Sequence, residues 1–418
     1  MINVKEYGAA GDGLTYDTEP LQRALDAGAE RGEPVCIPSG MYLTGTLILK
    51  SDLHLVLETG AVVIGSRELD KYKEGTHFNR YAGESVMDRC LFFASDEENI
   101  KISGGVFDGN GEYFYGGEER DTPHPMMFRF LRCGNIQMED LRIKNPAAWS
   151  TAFIECSGIK VSGAHIISRH FNGDGLDFDS CRDVLVSDCR FDTSDDCLCI
   201  QNSVNGRTSK NIVVNRCIMK SRWAAVRIGL LSSGDIEDVI ISNCIFHDCM
   251  CSGFKIQAAE EGKIHNVMMN NIVMRNVVRP IFITSNFYRM GVFNTGKHRN
   301  KEGIDGLYFE NMIIECAEEM ADPVSGILIV GIAERRIKNI ILQNVVYHVK
   351  KREADINLVA ESLEGKRPEA YSLGSSPASM MFARHTDGVV IRNCNFKISG
   401  YDGRRCVAFD DCTEITED

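Results

Sequence analysis

The pattern that decides the fold is contained in residues 211–219, which read Asn211-Ile212-Val213-Val214-Asn215-Arg216-Cys217-Ile218-Met219. Apolar side chains stand at positions i, i+2, i+5 and i+7 of this stretch, beginning with Ile212. Apolar and polar residues alternate at the start and at the end of the stretch, and two residues between these parts interrupt the alternation. This pattern is typical of two short strands that meet at a bend, with their apolar faces on one side. The stretch therefore predicts a pair of short β-strands.

The same pattern recurs ten times along the chain, usually directly after Asn, Asp or Gly. Successive units begin 23 to 49 residues apart. Coils of this length, wound from short strands that pair with the next coil, are typical of a parallel β-helix. We therefore predict an all-β, single-stranded parallel β-helix, a solenoid. Its units begin at Ile100, Ile136, Ile159, Val184, Ile212, Val239, Val267, Leu307, Ile340 and Val389.

No linker-like composition divides the 418 residues, so we predict one domain, 1–418, instead of the two or three that length alone suggests. Residues 1–65 are expected to form an N-terminal cap and the first coils. A short amphipathic capping helix is predicted over 17–27, with Asp17 as its N-cap. Residues 350–380 are polar and irregular, and they predict a long loop in the later coils.

Composition excludes several classes of function. The chain has 46 Lys and Arg against 59 Asp and Glu, a net charge of −13, so it repels nucleic acids and anionic membrane surfaces. The first residues show no basic segment followed by an apolar run, and no stretch is long and apolar enough for a membrane span. We expect a cytoplasmic protein whose 16 cysteines are reduced, buried thiols.

A third strand in each coil predicts which side chains share a ladder. Leu176, Leu198, Val226 and Phe254 align as inward positions, so the alternate positions face outward. The outward residues include Arg227 beside Lys255, and Gln257 in the next ladder. Just before this strand, Asp174 aligns with Asp196 of one neighbouring coil and with Trp149 of the other. Asp195 aligns with Trp223.

Three carboxylates, the cations Arg222, Arg227 and Lys255, and both tryptophans are thus expected on one outer strip. Stacked aspartates repel one another, and burial raises the pKa of a carboxyl, so the cluster suits a general acid beside a general base. Glycoside hydrolysis uses such a pair, about 6.5–9.5 Å apart for inversion and about 5–5.5 Å for retention. Two alternatives remain open: aspartates that only bond their own backbone at bends, and a calcium site.

Two segments resemble the motifs of the polygalacturonase family of pectin-degrading enzymes, glycoside hydrolase family 28. The stretch Asn172-Gly173-Asp174-Gly175 is similar to its Asn-Thr-Asp-Gly segment, and Ser194-Asp195-Asp196 is similar to its Gly-Asp-Asp segment. The resemblance implies a right-handed β-helix that hydrolyses glycosidic bonds by inversion. It implies Asp195 as general acid and Asp174 and Asp196 as the residues that activate water, with Asn172 among the substrate contacts.

The sequence departs from the family where the acidic sugar is bound. Arg222-Trp223-Ala224 stands where the family has Gly-His-Gly, and Lys255-Ile256-Gln257 stands where it has Arg-Ile-Lys. The family's later tyrosine has only a shifted counterpart, Tyr288. Either Arg227 replaces the lost carboxylate clamp, or the sugar in the cleavage subsite is neutral, such as a rhamnosyl residue. Trp223 and Trp149 then stack on sugar faces, or they fill the groove as packing residues.

We therefore predict an inverting glycosidase that trims pectin-derived oligosaccharides from their ends, with an altered cleavage subsite. The expected substrate-binding residues are Asn172, Trp223, Arg227, Lys255, Gln257, Tyr288 and Trp149. No metal or other cofactor is expected, and the expected partner is an oligosaccharide rather than nucleic acid or membrane. The alternatives are a β-helix polysaccharide lyase and a catalytically silent carbohydrate-binding solenoid.

Overall fold

The computed structural model describes residues 1–76, 87–114, 124–204, 206–293, 300–316, 324–350 and 359–418. The chain divides into two compact units, Met1–Cys197 and Leu198–Asp418. In both units the regular secondary structure consists mainly of strands, as the all-β prediction requires. The single-domain organisation remains a prediction.

Among its described residues, the first unit contains one α-helix, α1 (Thr18–Arg31), and short 3-10 helices at Val4–Tyr7, Leu69–Lys71 and Gly111–Phe114. Its strands are β1 (Ile2–Asn3), β2 (Asp12–Tyr16), β3 (Val35–Ile37), β4 (Gly40–Thr44), β5 (Leu47–Ile48), β6 (His54–Leu57), β7 (Ala61–Gly65), β8 (Cys90–Ser95), β9 (Glu98–Ser103), β10 (Val106–Asp108), β11 (Met126–Leu131), β12 (Gly134–Glu139), β13 (Arg142–Lys144), β14 (Thr151–Ile154), β15 (Ser157–Ser162), β16 (His165–Ser168), β17 (Leu176–Asp179), β18 (Arg182–Ser187) and β19 (Arg190–Thr193).

Within the first unit, each strand from β3 to β16 pairs in parallel with the strand three places further along the chain. This rule produces three ladders: β3, β6, β9, β12, β15 and β18; β4, β7, β10, β13, β16 and β19; and β5, β8, β11, β14 and β17. The strand pairs of the repeat are confirmed. In the unit that begins at Ile136, for example, both strands bury their apolar face, and Ile136 and Ile143 are at most 1% exposed.

The bends explain why Asn, Asp or Gly precedes each repeat. In all ten units the residue before the first apolar position has a positive φ, from 50° at Asn135 to 76° at Gly306. This left-handed conformation is open to Gly and costs Asn and Asp less than other residues. The repeat therefore reflects two requirements: apolar side chains that pack in the core, and a residue before them that tolerates a positive φ.

A column of aromatic rings fills the third ladder of the first unit. The ring centroids of Phe130 and Phe153 lie 5.1 Å apart and those of Phe153 and Phe178 lie 5.2 Å apart, and the rings are nearly parallel. All three side chains are fully buried. Equivalent positions of successive strands thus build a continuous apolar core.

Helix α1 is one turn longer than predicted and ends at Gly32, which adopts a left-handed conformation with φ 63°. Asp17 occupies the N-cap position, but its side chain does not cap the helix. Its carboxylate instead accepts hydrogen bonds from the amides of Ala10, at 2.5 Å, and Gly11, at 2.9 Å. Among the described residues, no helix has the length and apolar character needed to cross a membrane.

The second unit contains α2 (Tyr288–Phe293) and a 3-10 helix at Ala370–Leu373. In several coils the two strands of a repeat join through their bend into one long strand. Its strands are β20 (Leu198–Asn202), β21 (Ser209–Asn215), β22 (Ile218–Ser221), β23 (Ala224–Ser232), β24 (Ile236–Ala258), β25 (Ile264–Ser285), β26 (Ile304–Cys316), β27 (Ile327–Val330), β28 (Ile337–Val349), β29 (Ala378–Arg392), β30 (Asn395–Ile398) and β31 (Arg405–Glu417).

The register predicted for the second unit is confirmed. Leu198 pairs with Val226, and Val226 pairs with Phe254, along β20, β23 and β24. The outward ladder follows from the same register, because Arg227 pairs with Lys255. Sequence periodicity was therefore sufficient to align these strands residue by residue.

Most of the loop predicted over 350–380 is irregular in structure, although 351–358 lie outside the described residues. The segment that follows, residues 359–377, is packed rather than extended into solvent. Leu363 and Leu373 belong to an apolar cluster with Phe282 and Leu328 of the strands beneath. The segment is therefore a fixed layer over part of the second unit.

All sixteen cysteines are free thiols, and thirteen of them are buried. Cys217 and Cys244 stand at the i+5 positions of two successive repeat units, and each is 1% exposed. Burial raises the pKa of the Cys249 thiol to about 12. Burial is therefore confirmed for thirteen cysteines, whereas Cys394 and Cys412 are partly exposed and Cys406 is exposed.

Candidate active site

The first unit brings together the three predicted catalytic carboxylates. Asp174, Asp195 and Asp196 each offer one oxygen within 4.8 Å of the others. Asp174 and Asp196 are 2% and 0% exposed, whereas Asp195 is partly exposed. One carboxyl therefore faces accessible space while two lie beneath the surface.

Backbone hydrogen bonds hold the two turns of the cluster against each other. The Gly175 amide donates to the Asp196 carbonyl at 2.9 Å, and the Asp195 amide lies 3.4 Å from the Gly173 carbonyl. A Cβ atom on Gly173 would lie 2.6 Å from the Ser194 hydroxyl, and one on Gly175 would lie 2.3 Å from a backbone carbonyl. The two glycines around Asp174 are therefore required by the close approach of the turns.

Two hydroxyl groups that the sequence reasoning missed fix the neighbouring turn. The Ser194 hydroxyl donates to the His170 carbonyl and accepts from the Gly173 amide at 3.2 Å. The Thr193 hydroxyl donates to the Asp195 carbonyl at 2.7 Å. Burial lowers the pKa of His170 below its ordinary value. The only sequence signal for this role was the pair of glycines next to Asp174, which indicates that another segment must come close.

Asn172 and Trp149 lie in the same unit but differ in exposure. Asn172 is partly exposed in a left-handed turn with φ 55°, and its side-chain amide lies 3.3 Å from the Met87 sulfur. Trp149 is 4% exposed and packs against Met87, Cys90 and Met126. This burial argues against the predicted sugar-stacking role of Trp149 and agrees with the alternative of a packing residue.

The carboxylate cluster is suited to proton transfer on both sides of a bond. A protonated carboxyl can donate to a leaving oxygen while an ionised one accepts a proton from water. The nearest oxygens are closer than the about 6.5–9.5 Å that accompanies inversion, but that range describes whole carboxyl groups rather than nearest atoms. Three carboxylates this close also match the oxygen ligands of a hard cation such as Ca²⁺.

In the second unit, Lys255 forms a buried ion pair with Glu369. Its ammonium nitrogen lies 2.8 Å from one carboxylate oxygen and 3.0 Å from the other. The two side chains are 0% and 4% exposed. The same nitrogen lies 4.5 Å from the centre of the Trp223 ring, which is cation–π distance.

Gln257, two residues further along β24, is covered by the same segment. Its side-chain amide donates to the Pro368 carbonyl, and the residue is 0% exposed. Lys255 and Gln257 were predicted to face outward and bind substrate. They do face away from the coil, but residues 359–377 cover them, and this placement argues against direct contact with a sugar.

The remaining predicted residues of the second unit are accessible. Arg227 is partly exposed next to Lys255 in the ladder, and Trp223 is partly exposed at the start of the same coil. Tyr288 is the first residue of α2 and is partly exposed; its amide donates to the Asn286 side chain at 3.1 Å. Whether these residues contact substrate remains a prediction.

A pocket of about 390 Å³ opens beside the Lys255–Glu369 pair. This volume is within the range of small-molecule sites. Its walls are aromatic, cationic and acidic, a combination that suits a polar ligand with one flat apolar face. The lining includes Arg222, Trp223, Met250, Arg279, Glu369 and Tyr371.

The sequence profile of glycosyl hydrolases family 28 matches residues 37–363. A probable polygalacturonase of Vitis vinifera is 24% identical, and the alignment covers 95% of this chain and 86% of the relative. An exo-poly-alpha-D-galacturonosidase of Dickeya chrysanthemi is 25% identical, covering 69% of this chain and 57% of that protein.

Solved structures with the same fold include two exopolygalacturonases. The enzyme from Thermotoga maritima superposes with a TM-score of 0.70 at 21% identity, covering 83% of this chain and 87% of that one. The Yersinia enterocolitica family 28 enzyme gives a TM-score of 0.74 at 19% identity, with 99% and 77% covered. At these identities the superpositions support a common fold.

Proposed function

The chain belongs to glycosyl hydrolases family 28, and from that premise we propose that it hydrolyses glycosidic bonds of pectin-derived oligosaccharides, acting at chain ends. The observation that carries the proposal is the convergence of Asp174, Asp195 and Asp196, with oxygens within 4.8 Å of one another. Exo action is supported by the names of relatives, among them the exo-poly-alpha-D-galacturonosidase of Dickeya chrysanthemi.

In the proposed reaction Asp195 is the general acid and the other two aspartates hold the water. Asp195 is the carboxyl with exposure to solvent, so it can reach the glycosidic oxygen of a bound sugar. It donates its proton as the bond between the anomeric carbon and that oxygen breaks. Water adds to the anomeric carbon and gives a proton to Asp174 or Asp196, which are buried next to it.

We propose that the configuration is inverted, as the family resemblance implies. Because water attacks the face opposite the leaving group in a single displacement, the first-formed product has the opposite anomeric configuration. Proton NMR recorded in the first minutes of the reaction, before the product anomers equilibrate, measures that configuration directly. A first product that retains the configuration contradicts the proposal.

The substrate is proposed to place a neutral or modified sugar, such as a rhamnosyl residue, in the cleavage subsite. Two observations support a departure from plain polygalacturonate. The Arg-Ile-Lys motif is replaced by Lys255-Ile256-Gln257, and the Lys255 ammonium is already paired with Glu369. Trp223, Arg227, Tyr288 and Asn172 are the proposed substrate contacts.

We also propose that the fold is a right-handed, single-stranded parallel β-helix with α1 covering its first coil. The three parallel ladders of the first unit support this architecture. Helix α1 supports the capping role, because Leu21, Ala24 and Leu25 are buried on its inner side.

The experiment that tests the function uses pectic oligosaccharides with defined non-reducing ends, either rhamnosyl or galacturonosyl. Release of reducing sugar and chromatography of the products identify the bond cleaved and the end attacked. The proposal predicts release of the terminal sugar with no ultraviolet-absorbing product. An unsaturated product would indicate a lyase, and no turnover of any member would indicate a binding protein.

A further inference from the structure

Glu369 reaches Lys255 across 114 residues of sequence, and the contact is made inside the protein. Both carboxylate oxygens lie within 3.0 Å of the ammonium nitrogen, with almost no exposure of either side chain. In a pair removed from water in this way, loss of one partner leaves the other group buried without its counter-charge.

The segment that carries Glu369 is anchored by polar groups of the strands below. The Asn286 side chain donates to the carbonyls of Leu363 and Lys366, both at 2.9 Å, and Gln257 donates to the Pro368 carbonyl. Leu363 and Leu373 add the apolar contacts described above. These contacts therefore hold the Glu369 carboxylate in one position.

Glu369, the acidic partner of the ion pair, lines the same pocket as Trp223. Lys255 lies over one face of the Trp223 ring, and the carboxylate of Glu369 lines the pocket beside it. A sugar that stacks its apolar face on an indole ring needs hydroxyl partners at its edge, which a carboxylate provides.

We propose that Glu369 is a specificity-determining residue that makes this pocket select an uncharged sugar unit over a uronic acid. Its carboxylate takes the ammonium that would otherwise bind a sugar carboxylate, and its negative charge repels one. This inference rests on the proposed function for its substrate class, a pectic sugar.

The two arginines of the pocket differ from Lys255 in their surroundings. One guanidinium nitrogen of Arg279 donates to the Val324 carbonyl at 3.0 Å, and the residue is 6% exposed. Arg222 is exposed at the rim, where water and salt screen its attraction for an anion.

The test compares Glu369→Gln with wild type and with the double variant Lys255→Met/Glu369→Gln. The single variant keeps the shape of the side chain but leaves Lys255 without a counter-charge. We expect the ratio of kcat/KM for galacturonosyl-ended over rhamnosyl-ended oligosaccharides to rise about tenfold or more. The double variant lacks the ammonium and is expected to return towards the wild-type ratio. An unchanged ratio in the single variant, or an equal rise in both, overturns the proposal.

A binding measurement keeps this test independent of catalysis. The protein is titrated with free rhamnose, free galacturonate and acetate, and tryptophan fluorescence is recorded. The Trp223→Phe variant shows which part of the fluorescence change comes from the pocket. Wild type is expected to respond to rhamnose and not to galacturonate, whereas Glu369→Gln gains a response to galacturonate and acetate. A wild-type response to galacturonate at least as strong as that to rhamnose overturns the proposal, even if the single variant does not fold.

The failures of the two proposals are therefore distinguishable. If no glycosidic bond is cleaved but the titrations give the expected pattern, the proposed function fails and the role of Glu369 stands. If the enzyme cleaves pectic oligosaccharides but prefers galacturonosyl ends in wild type, the role of Glu369 fails and the proposed function stands.

Discussion

The hydroxyl of Ser194 lies 3.2 Å from the amide nitrogen of Gly173 and joins the turn that carries Asp195 to the turn that carries Asp174. The same hydroxyl donates to the His170 carbonyl. In this position Ser194 helps to hold the turn of the proposed acid against the turn of one of the proposed water-holding carboxylates. This side-chain contact adds to the backbone hydrogen bonds between the two turns, in which the Gly175 amide donates to the Asp196 carbonyl at 2.9 Å.

Replacing Ser194 by alanine is expected to lower kcat about tenfold to a hundredfold with little change in KM. A displacement of about 1 Å at a reacting group lowers the rate of the chemical step by about this factor, whereas the contacts that bind the sugar elsewhere are unaffected. Steady-state kinetics over a range of pH measure both parameters and the acid limb of the profile. Ser194→Thr, which keeps the hydroxyl, is expected to recover part of the loss.

The matched control is Ser103→Ala, a partly exposed serine on β9 whose hydroxyl lies 3.5 Å from the His54 ring. It is expected to leave kcat within about twofold of wild type, since it is placed in no catalytic turn. A Ser194→Ala enzyme with wild-type kcat, or one that changes KM alone, contradicts the positioning role.

Asp195→Asn is expected to lower kcat by about 10²- to 10⁴-fold, because an amide cannot protonate the leaving oxygen. The assay uses the oligosaccharide that wild type cleaves best. Oligosaccharide binding is expected to persist, since the amide keeps the size of the carboxyl. Asp192→Asn is the control: it removes a carboxylate three residues away that pairs with Arg169 at the surface. Equal activity of Asp195→Asn and wild type would refute the assignment of the acid.

Chelation is expected to leave the activity unchanged, although the three aspartates have the spacing of a cation site. In the proposed reaction the carboxylates themselves exchange protons, and a bound divalent cation would compete with that role. Activity is measured after dialysis against EDTA and again after addition of Ca²⁺. Loss of activity on chelation with recovery in Ca²⁺ would favour the calcium alternative over an acid and base pair.

The register of the coils was predictable because local sequence patterns determine it. The apolar positions repeat with period two, and the residues before and within each unit adopt a positive φ that Asn, Asp and Gly tolerate. The three catalytic candidates followed from the same register together with the family resemblance. Ser194 was not predicted, because a serine between two short turns has no periodic signature.

The covering of Lys255 could not be predicted from the coils. Glu369 lies 114 residues away in an irregular segment with no repeat, so no alignment of strands relates the two. The burial of Trp149 could not be predicted for a related reason. The ladder gives the direction of a side chain, but its exposure depends on packing partners such as Met87, which lies outside the repeat.

The column of phenylalanines predicts where the first unit is most sensitive to truncation. Phe153 is fully buried between Phe130 and Phe178 at 5.1 and 5.2 Å. Phe153→Ala is expected to lower the free energy of unfolding by about 3–5 kcal/mol through lost burial and the cavity that remains. Urea denaturation followed by circular dichroism measures the change. Leu185→Ala, at a side chain that is 41% exposed, serves as control and is expected to cost less than about 1 kcal/mol.

The pair between Arg336 and Asp387 predicts how stability changes in acid. Two guanidinium nitrogens of Arg336 each lie 2.7 Å from an Asp387 oxygen, and this pairing holds the pKa of the carboxyl below its usual value of 3.8. A folded-state pKa below the unfolded value means that the contribution to stability is complete above about pH 4. It is lost as the pH falls through the lower folded value. Asp387→Asn is therefore expected to cost about 1 kcal/mol at pH 7 and progressively less below pH 4. Urea midpoints at pH 7, 4 and 3 measure this, and a cost that stays constant across the series contradicts the electrostatic origin.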